Sequence, residues 1–143
     1  MDTAVERQVT LPADLEATWE LITRPDDLAG WLGADVELAP RPGAAGLVVD
    51  HDGTRRRLVV DEVEAGRRLT WHWAVEEEDG TVGPTSRVEI TLAPVGDRTR
   101  VTVVEQPLEP VGREVQASAS GAWSHRLLHL ESLLLVAAAV RGG

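Results

Sequence analysis

The stretch SGAWSHRLLHLESLLLVAAAV, residues 120–140, predicts one long helix with a single apolar stripe. At about 100° per residue, the stripe lies within about 60° of Trp123 around the helix axis. Its members are Trp123, Leu127, Leu130, Leu134, Ala137 and Ala138. A helix of this kind buries its stripe against another layer, and the preceding sequence indicates that this layer is a sheet.

Six short segments before the helix show an apolar period of two, which is typical of strands. Turn residues such as Asp52-Gly53 separate them, so consecutive strands are predicted to pair antiparallel. The predicted strands cover residues 36–38, 47–51, 57–64, 69–75, 87–93 and 100–105.

The first thirty residues predict one strand followed by two short helices. The strand is Val5–Leu11, and Asp14 is placed to cap a helix over Leu15–Thr23. Pro25 begins a second helix that reaches Trp31. The complete order is one strand, two helices, six strands and one long helix, which is an α+β arrangement in one domain over residues 1–143.

Alternation in segment 69–75, LTWHWAV, places Leu69, Trp71, Trp73 and Val75 on one face. If this face meets the stripe of the last helix, the two tryptophans form a wall opposite Trp123. Two interpretations stand at this point: the aromatic rings line a binding space, or they simply fill the core.

Four stretches resemble the SRPBCC or START-like superfamily, and within it the homologues of the heat-shock-protein-90 ATPase activator. They are PADLEATWELI at 12–22 with PDDLAGWL at 25–32, RRLTWHW at 67–73, SRVEITLAPVGDRTRVTVV at 86–104, and Trp123 followed by leucines at +4, +7 and +11. The resemblance implies a helix-grip fold, in which a curved seven-stranded antiparallel sheet wraps around the C-terminal helix and encloses a cavity.

Three functions follow from the resemblance as alternatives, because the fold alone does not select one. The first is binding of a small hydrophobic or aromatic ligand in the cavity, without cofactor or metal. The second is an enzyme similar to polyketide cyclases or hydrolases that uses the same cavity. The third is a module that contacts a chaperone, although GlyAlaTrp at 121–123 replaces the family's GlyTrp and the chain is expected to lack room for the activator's second domain.

The predicted ligand-binding residues combine the tryptophans with inward strand positions. They are Trp31, Trp71, Trp73, Val88, Ile90, Val103, Glu105, Arg7, Trp123 and Leu127. Strand parity places Glu105 on one face with Val103, and Arg7 on one face with Val5. The resemblance implies that the first and last strands are neighbours, so an Arg7–Glu105 ion pair is predicted in preference to a catalytic role.

The four histidines predict no metal or catalytic site. His125 and His129 fall on the side of the last helix opposite Trp123, and the sequence HRLLH lacks the glutamate of the zinc-protease motif HExxH. His51 and His72 are each interpreted as isolated. No catalytic residue is therefore assigned.

The composition excludes several kinds of chemistry and disfavours several kinds of partner. The absence of cysteine and lysine excludes disulfides, thiolate ligands, Schiff-base chemistry and a complete P-loop. A net charge of −10 disfavours nucleic acid, and an apolar run of only residues 133–140 disfavours a membrane span. With no secretion signal recognised at the N-terminus, a cytoplasmic location is expected.

The outward side of the last helix is more apolar than a solvated surface. A homodimer or another partner is predicted to cover it, or alternatively the loop at 40–46. The residues concerned are Leu128, Leu133, Leu135, Val136 and Val140.

Overall fold

A computed structural model of the protein describes residues 4–109 and 111–142, with side chains as far as Leu134. Seven strands and three helices follow in the predicted order. They are β1 Val5–Leu11, α1 Leu15–Thr23, α2 Pro25–Trp31, β2 Asp35–Glu37, β3 Ala45–Val49, β4 Arg55–Glu64, β5 Arg68–Glu76, β6 Ser86–Val95, β7 Arg98–Pro107 and α3 Arg113–Gly142.

The strands form one curled antiparallel sheet in the order β1-β7-β6-β5-β4-β3-β2. Strands β2 to β7 follow each other as a meander, while β1 pairs with β7 at the other end, with Val5 opposite Glu105. The predicted helix-grip fold is therefore confirmed. Strand β3 ends earlier than expected because Asp50 already belongs to the hairpin turn, where its backbone N–H donates to the carbonyl of Thr54.

The two short helices begin at the predicted residues for the predicted reasons. The Asp14 carboxylate accepts a hydrogen bond from the backbone N–H of Ala17, which satisfies one free donor at the start of α1. Pro25 occupies the first turn of α2, where its missing N–H costs nothing.

The core lies between the inner face of the sheet and α3. Trp123, Leu127 and Leu130 are buried, as the helical spacing predicted. The side chains of Ala137 and Ala138 lie outside the described part. Trp73 on strand β5 stacks on Trp123, so the tryptophan strand and the helix stripe do meet.

One residue of the predicted outward face of α3 is inside the fold. Leu133 packs against α2, where a Cβ added to Gly30 would lie 3.0 Å from Leu133 Cδ1. A helical wheel gives the direction of Leu133 but not the neighbouring helix that covers it. Leu128 is exposed to 61%, and the side chains of Leu135, Val136 and Val140 lie outside the described part.

In the described ranges, no helix combines the length and apolar content that crossing a bilayer requires.

Candidate functional site

A cleft of about 440 Å³ opens between the sheet and the first half of α3. Strands β5, β6 and β7 form its floor, and the loop after β5 closes one side. The apolar part of the wall consists of Val5, Ala74, Val75, Pro84, Pro107, Val111, Val115, Ala119 and Ala122. On α3 the small side chains of Ala119 and Ala122 line the cleft and leave this space open.

Three tryptophan rings form a contiguous cluster at the inner end of the cleft. Trp73 lines it, and its ring stacks on Trp123 with centroids 5.8 Å apart. Trp71 meets Trp73 edge to face at 5.6 Å. Trp71 and Trp123 are fully buried and do not line the cleft, whereas Trp73, although only 3% exposed, does. Trp73 is therefore the ring of this group that adjoins the cleft.

Glu105 lies on the inner face of β7, lines the cleft and is held by two indoles. Its Oε2 accepts a hydrogen bond from Trp73 Nε1 at 2.9 Å, and its Oε1 accepts one from Trp123 Nε1 at 2.7 Å. Hydrogen bonds to a carboxylate are among the stronger ones in proteins. They fix the carboxylate and both rings in one arrangement.

The predicted Arg7–Glu105 ion pair is wrong. Arg7 is exposed and stands opposite Val103, not Glu105, in the pairing of β1 with β7. Its guanidinium donates to the hydroxyls of Ser120 and Ser124, one helical turn apart on α3. Helix α3 provides uncharged partners for both side chains, with Ser120 and Ser124 contacting Arg7 and Trp123 donating to Glu105.

A second polar group adjoins the tryptophans. Arg126 Nη2 donates to Asp50 Oδ1 at 3.2 Å, and Arg126 Nε donates to the carbonyl of Leu32 at 3.1 Å. The guanidinium also lies 4.6 Å from the Trp123 ring centroid. Burial lowers the pKa of Arg126, and the neighbouring Asp50 carboxylate acts in the opposite direction.

Arg56 completes this group from β4. It forms an ion pair with the same Asp50 carboxylate, and its guanidinium lies 5.2 Å from the Trp73 ring centroid. The Arg126 guanidinium is also 5.2 Å from that centroid. Two cations and one aromatic face therefore adjoin each other at the inner end of the cleft.

Sequence reasoning missed Arg126, Arg56 and Asp50, although each carried a signal. Arg126 falls about 60° from Trp123 on the helix, which makes it a charged residue inside an apolar stripe. Arg56 shares strand parity with the buried Leu58. An inward-facing charge needs a partner, and the search for one identifies Asp50.

The cleft brings together only part of the predicted ligand-binding set. Trp73, which is also a buried core residue, and Glu105 line it. Arg7 is exposed on β1. The other predicted residues belong to the buried core: Trp31, Trp71, Val88, Ile90, Val103, Trp123 and Leu127.

Two of the histidines are not isolated as predicted. His51 lies edge to face with His129 at 6.0 Å, and His129 lies 4.4 Å from His125. His72 Nδ1 is 2.9 Å from Asp61 Oδ1. Within residues 4–109 and 111–142, no group of three or more histidine, cysteine or acidic side chains is arranged to hold a metal ion.

The family model of the Activator of Hsp90 ATPase homolog 1-like protein matches residues 12–135. The chain belongs to this AHSA1-like family. No match is found among curated proteins.

Solved structures share the AHSA1-like fold. DynU16, from the dynemicin biosynthetic locus, is 30% identical with a TM-score of 0.82, and the match covers 94% of this chain but 48% of DynU16. MLL2253 of Mesorhizobium loti is 23% identical with a TM-score of 0.81, covering 92% and 96% of the two chains. The Aha1 dimer of Colwellia psychrerythraea is 18% identical with a TM-score of 0.75, covering 92% and 95%.

Proposed function

We propose that the protein binds a small hydrophobic or aromatic molecule in the cleft between the sheet and α3. The observation that carries this proposal is the placement of Trp73 at the inner end of a space of about 440 Å³ with largely apolar walls. Binding sites for small molecules have volumes of about 300–1,000 Å³ and combine apolar walls with a few fixed polar groups. Glu105 and Arg126 are fixed polar groups of this kind.

The structure of the inner end supports binding for an additional reason. Trp73 stacks on Trp123 and donates to Glu105, so its ring is held in place before any ligand arrives. A preorganised aromatic face loses little conformational entropy on binding, which favours affinity.

An enzyme similar to polyketide cyclases or hydrolases is the second candidate, and it would use the same cleft. DynU16 comes from the locus of a biosynthetic pathway, and Glu105 is a carboxylate beside the space where a substrate would lie. A chaperone-contacting module remains a prediction from family membership, and stimulation of a chaperone ATPase by the purified protein is its test.

Filling the cleft tests the proposed function. Ala119 lines the cleft from α3, so Ala119→Trp places an indole in the space that a ligand would occupy. We expect this variant to lose at least about tenfold in affinity for N-phenyl-1-naphthylamine, a neutral probe whose fluorescence rises in apolar sites, because steric exclusion removes the apolar contact area. Fluorescence titration gives the affinity.

The matched control is Ala117→Trp, because Ala117 is exposed on the same helix and does not line the cleft. We expect the control to bind the probe as the parent protein does. Absence of saturable binding to the parent protein, or equal affinities of parent and Ala119→Trp, would contradict the proposed function.

We also propose that the protein forms a homodimer through the outward face of α3. Leu128 is exposed to 61% on that face, and a family relative of the same fold is described as a dimer. Leu128→Glu is expected to shift sedimentation at tens of micromolar from dimer to monomer, because it buries a charge in the contact. Val95→Glu, at the exposed end of β6, is the control, and a monomeric parent protein would exclude the dimer.

A further inference from the structure

The inner end of the cleft has a balanced set of charges. Arg56 and Arg126 supply two cations, and Asp50 and Glu105 supply two anions. Three of these residues line the cleft, whereas Asp50 stands behind the two arginines. We call these four residues the inner polar group. The ligand chemistry that this group selects is inferred below, and the inference rests on the proposed function.

The two arginines leave hydrogen-bond donors for a ligand. Arg126 is only 6% exposed and lines the cleft. Its Nε and Nη2 are used by Leu32 and Asp50, but Nη1 has no hydrogen-bond partner in the described part of the chain. Toward the described residues, Arg56 donates from Nη1 alone, to Asp50. A ligand that enters this end therefore needs an acceptor, since an unmatched donor loses its hydration without compensation.

Glu105 leaves an acceptor for the same ligand. A carboxylate can accept about four hydrogen bonds, and from the residues that the structure describes Glu105 accepts two, one from each indole. Because Glu105 also lines the cleft, its remaining lone pairs require a donor. A group with acceptors alone, such as a ketone or a carboxylate, satisfies the arginines but not Glu105.

Charge decides between ionic and neutral ligands. A carboxylate on the ligand would add a third anion to two cations in a low-dielectric space, and it would pass the acidic side chains of Glu77 and Glu114 in the cleft wall. The chain as a whole carries a net charge of −10. A cationic ligand would instead add a third cation beside Arg56 and Arg126. Either addition leaves a poorly solvated charge without a partner.

We infer that the cleft selects neutral aromatic or conjugated molecules whose inserted end carries a hydrogen-bond donor and an acceptor side by side. A carboxamide, or a hydroxyl next to a carbonyl, has this pattern. The aromatic body lies against Trp73, the donor faces Glu105, and the acceptor faces Arg126 and Arg56. The ligand thereby completes the hydrogen bonds of the inner polar group without altering its charge.

Four naphthalene compounds of nearly equal size test the inference by calorimetric titration of the unmodified protein. The probes are 2-naphthamide, 2-acetylnaphthalene, 2-naphthoate and 2-naphthamidinium. We expect 2-naphthamide to bind at least about tenfold more tightly than each of the others, because each of the others leaves a buried partner unmatched or adds a charge. Equal affinities, or a preference for the naphthoate or the ketone, would overturn the inference.

The variant Glu105→Gln provides a second test, because it removes one negative charge and one acceptor at the inner end of the cleft. We expect this variant to reduce the preference of 2-naphthamide over 2-naphthoate by at least about tenfold. Glu64→Gln changes the net charge equally at an exposed position at the end of β4, and it should leave the preference unchanged. An unchanged preference in Glu105→Gln would also overturn the inference.

An incorrect proposed function and an incorrect ligand class give different experimental results. If none of the four compounds binds and Ala119→Trp changes nothing, the proposed function is wrong. If the compounds bind and Ala119→Trp blocks them, but the order of affinities differs from the one expected, only the inference about the ligand is wrong. The ranking on the unmodified protein decides the second question even if Glu105→Gln does not fold.

Discussion

Replacing Trp123 with alanine is expected to lower the free energy of unfolding by about 3–5 kcal/mol, the usual cost of deleting a large buried side chain. Trp123 is fully buried, stacks on Trp73 and lies under the Arg126 guanidinium. Its loss leaves a cavity and also removes one of the two donors that hold Glu105. Urea denaturation followed by circular dichroism measures the change.

A pair of conservative variants separates the hydrogen bond from the packing. Trp123 and Trp71 are both fully buried, but Trp71 Nε1 has no hydrogen-bond partner in the described part of the chain. Trp123→Phe loses ring area and the bond to Glu105, whereas Trp71→Phe loses ring area alone. We expect Trp123→Phe to cost about 1.5–3 kcal/mol more than Trp71→Phe, the range for a hydrogen bond to a charged group.

Equal costs for the two phenylalanine variants would contradict the description of Glu105 as a carboxylate fixed by indole donors. An alanine variant at Trp123 that unfolds at the same urea concentration as the parent protein would contradict the placement of this ring in the core. The two outcomes are independent, because one concerns the polar tip of the ring and the other its apolar body.

Replacing Asp50 with asparagine is expected to cost about 3 kcal/mol, at the lower end of the range for breaking a buried ion pair. Asp50 pairs with both Arg126 and Arg56, so its neutralisation removes the carboxylate that these two guanidinium groups share. The lower end applies because the Asp50 side chain is 18% exposed and water screens part of the interaction. Chemical denaturation at neutral pH gives the value.

A double-mutant cycle with Arg126→Met tests the cause. The double variant Asp50→Asn/Arg126→Met removes a charge of each sign, and we expect it to be destabilised by less than the sum of the two single variants. Asp97→Asn, an exposed change of the same kind at the β6–β7 turn, should be within about 0.5 kcal/mol of the parent protein. Additive single effects would show that the ion pair does not couple these residues.

The sequence was sufficient for the order of the elements and insufficient for the partners of the charged groups. Strand parity correctly placed Glu105 on the inner face, because a period of two determines the face. It could not identify the partners, since these come from β5 and α3, which meet only in three dimensions. A rule that pairs an inward acid with a nearby arginine therefore chose Arg7, whereas two uncharged indoles hold the carboxylate.

The apolar residues show the same limit. The spacing on α3 correctly predicted that Trp123, Leu127 and Leu130 are buried. It did not predict that Leu133 lies under α2, because this contact depends on how two helices cross. The cleft itself follows from the small side chains of Ala119 and Ala122 opposite the sheet, and a sequence pattern does not measure empty volume.

The pairing of β1 with β7 has a consequence for biosynthesis. Strands β2 to β7 can pair with their sequence neighbours as they leave the ribosome, but β1 emerges first and its partner last among the strands. Contacts between distant segments form slowly, because closing a long loop costs entropy before any contact is gained. During that interval the apolar face of β1, with Val5 and Leu11, has neither strand nor helix to cover it, so the nascent chain is most exposed to misassembly until translation reaches α3.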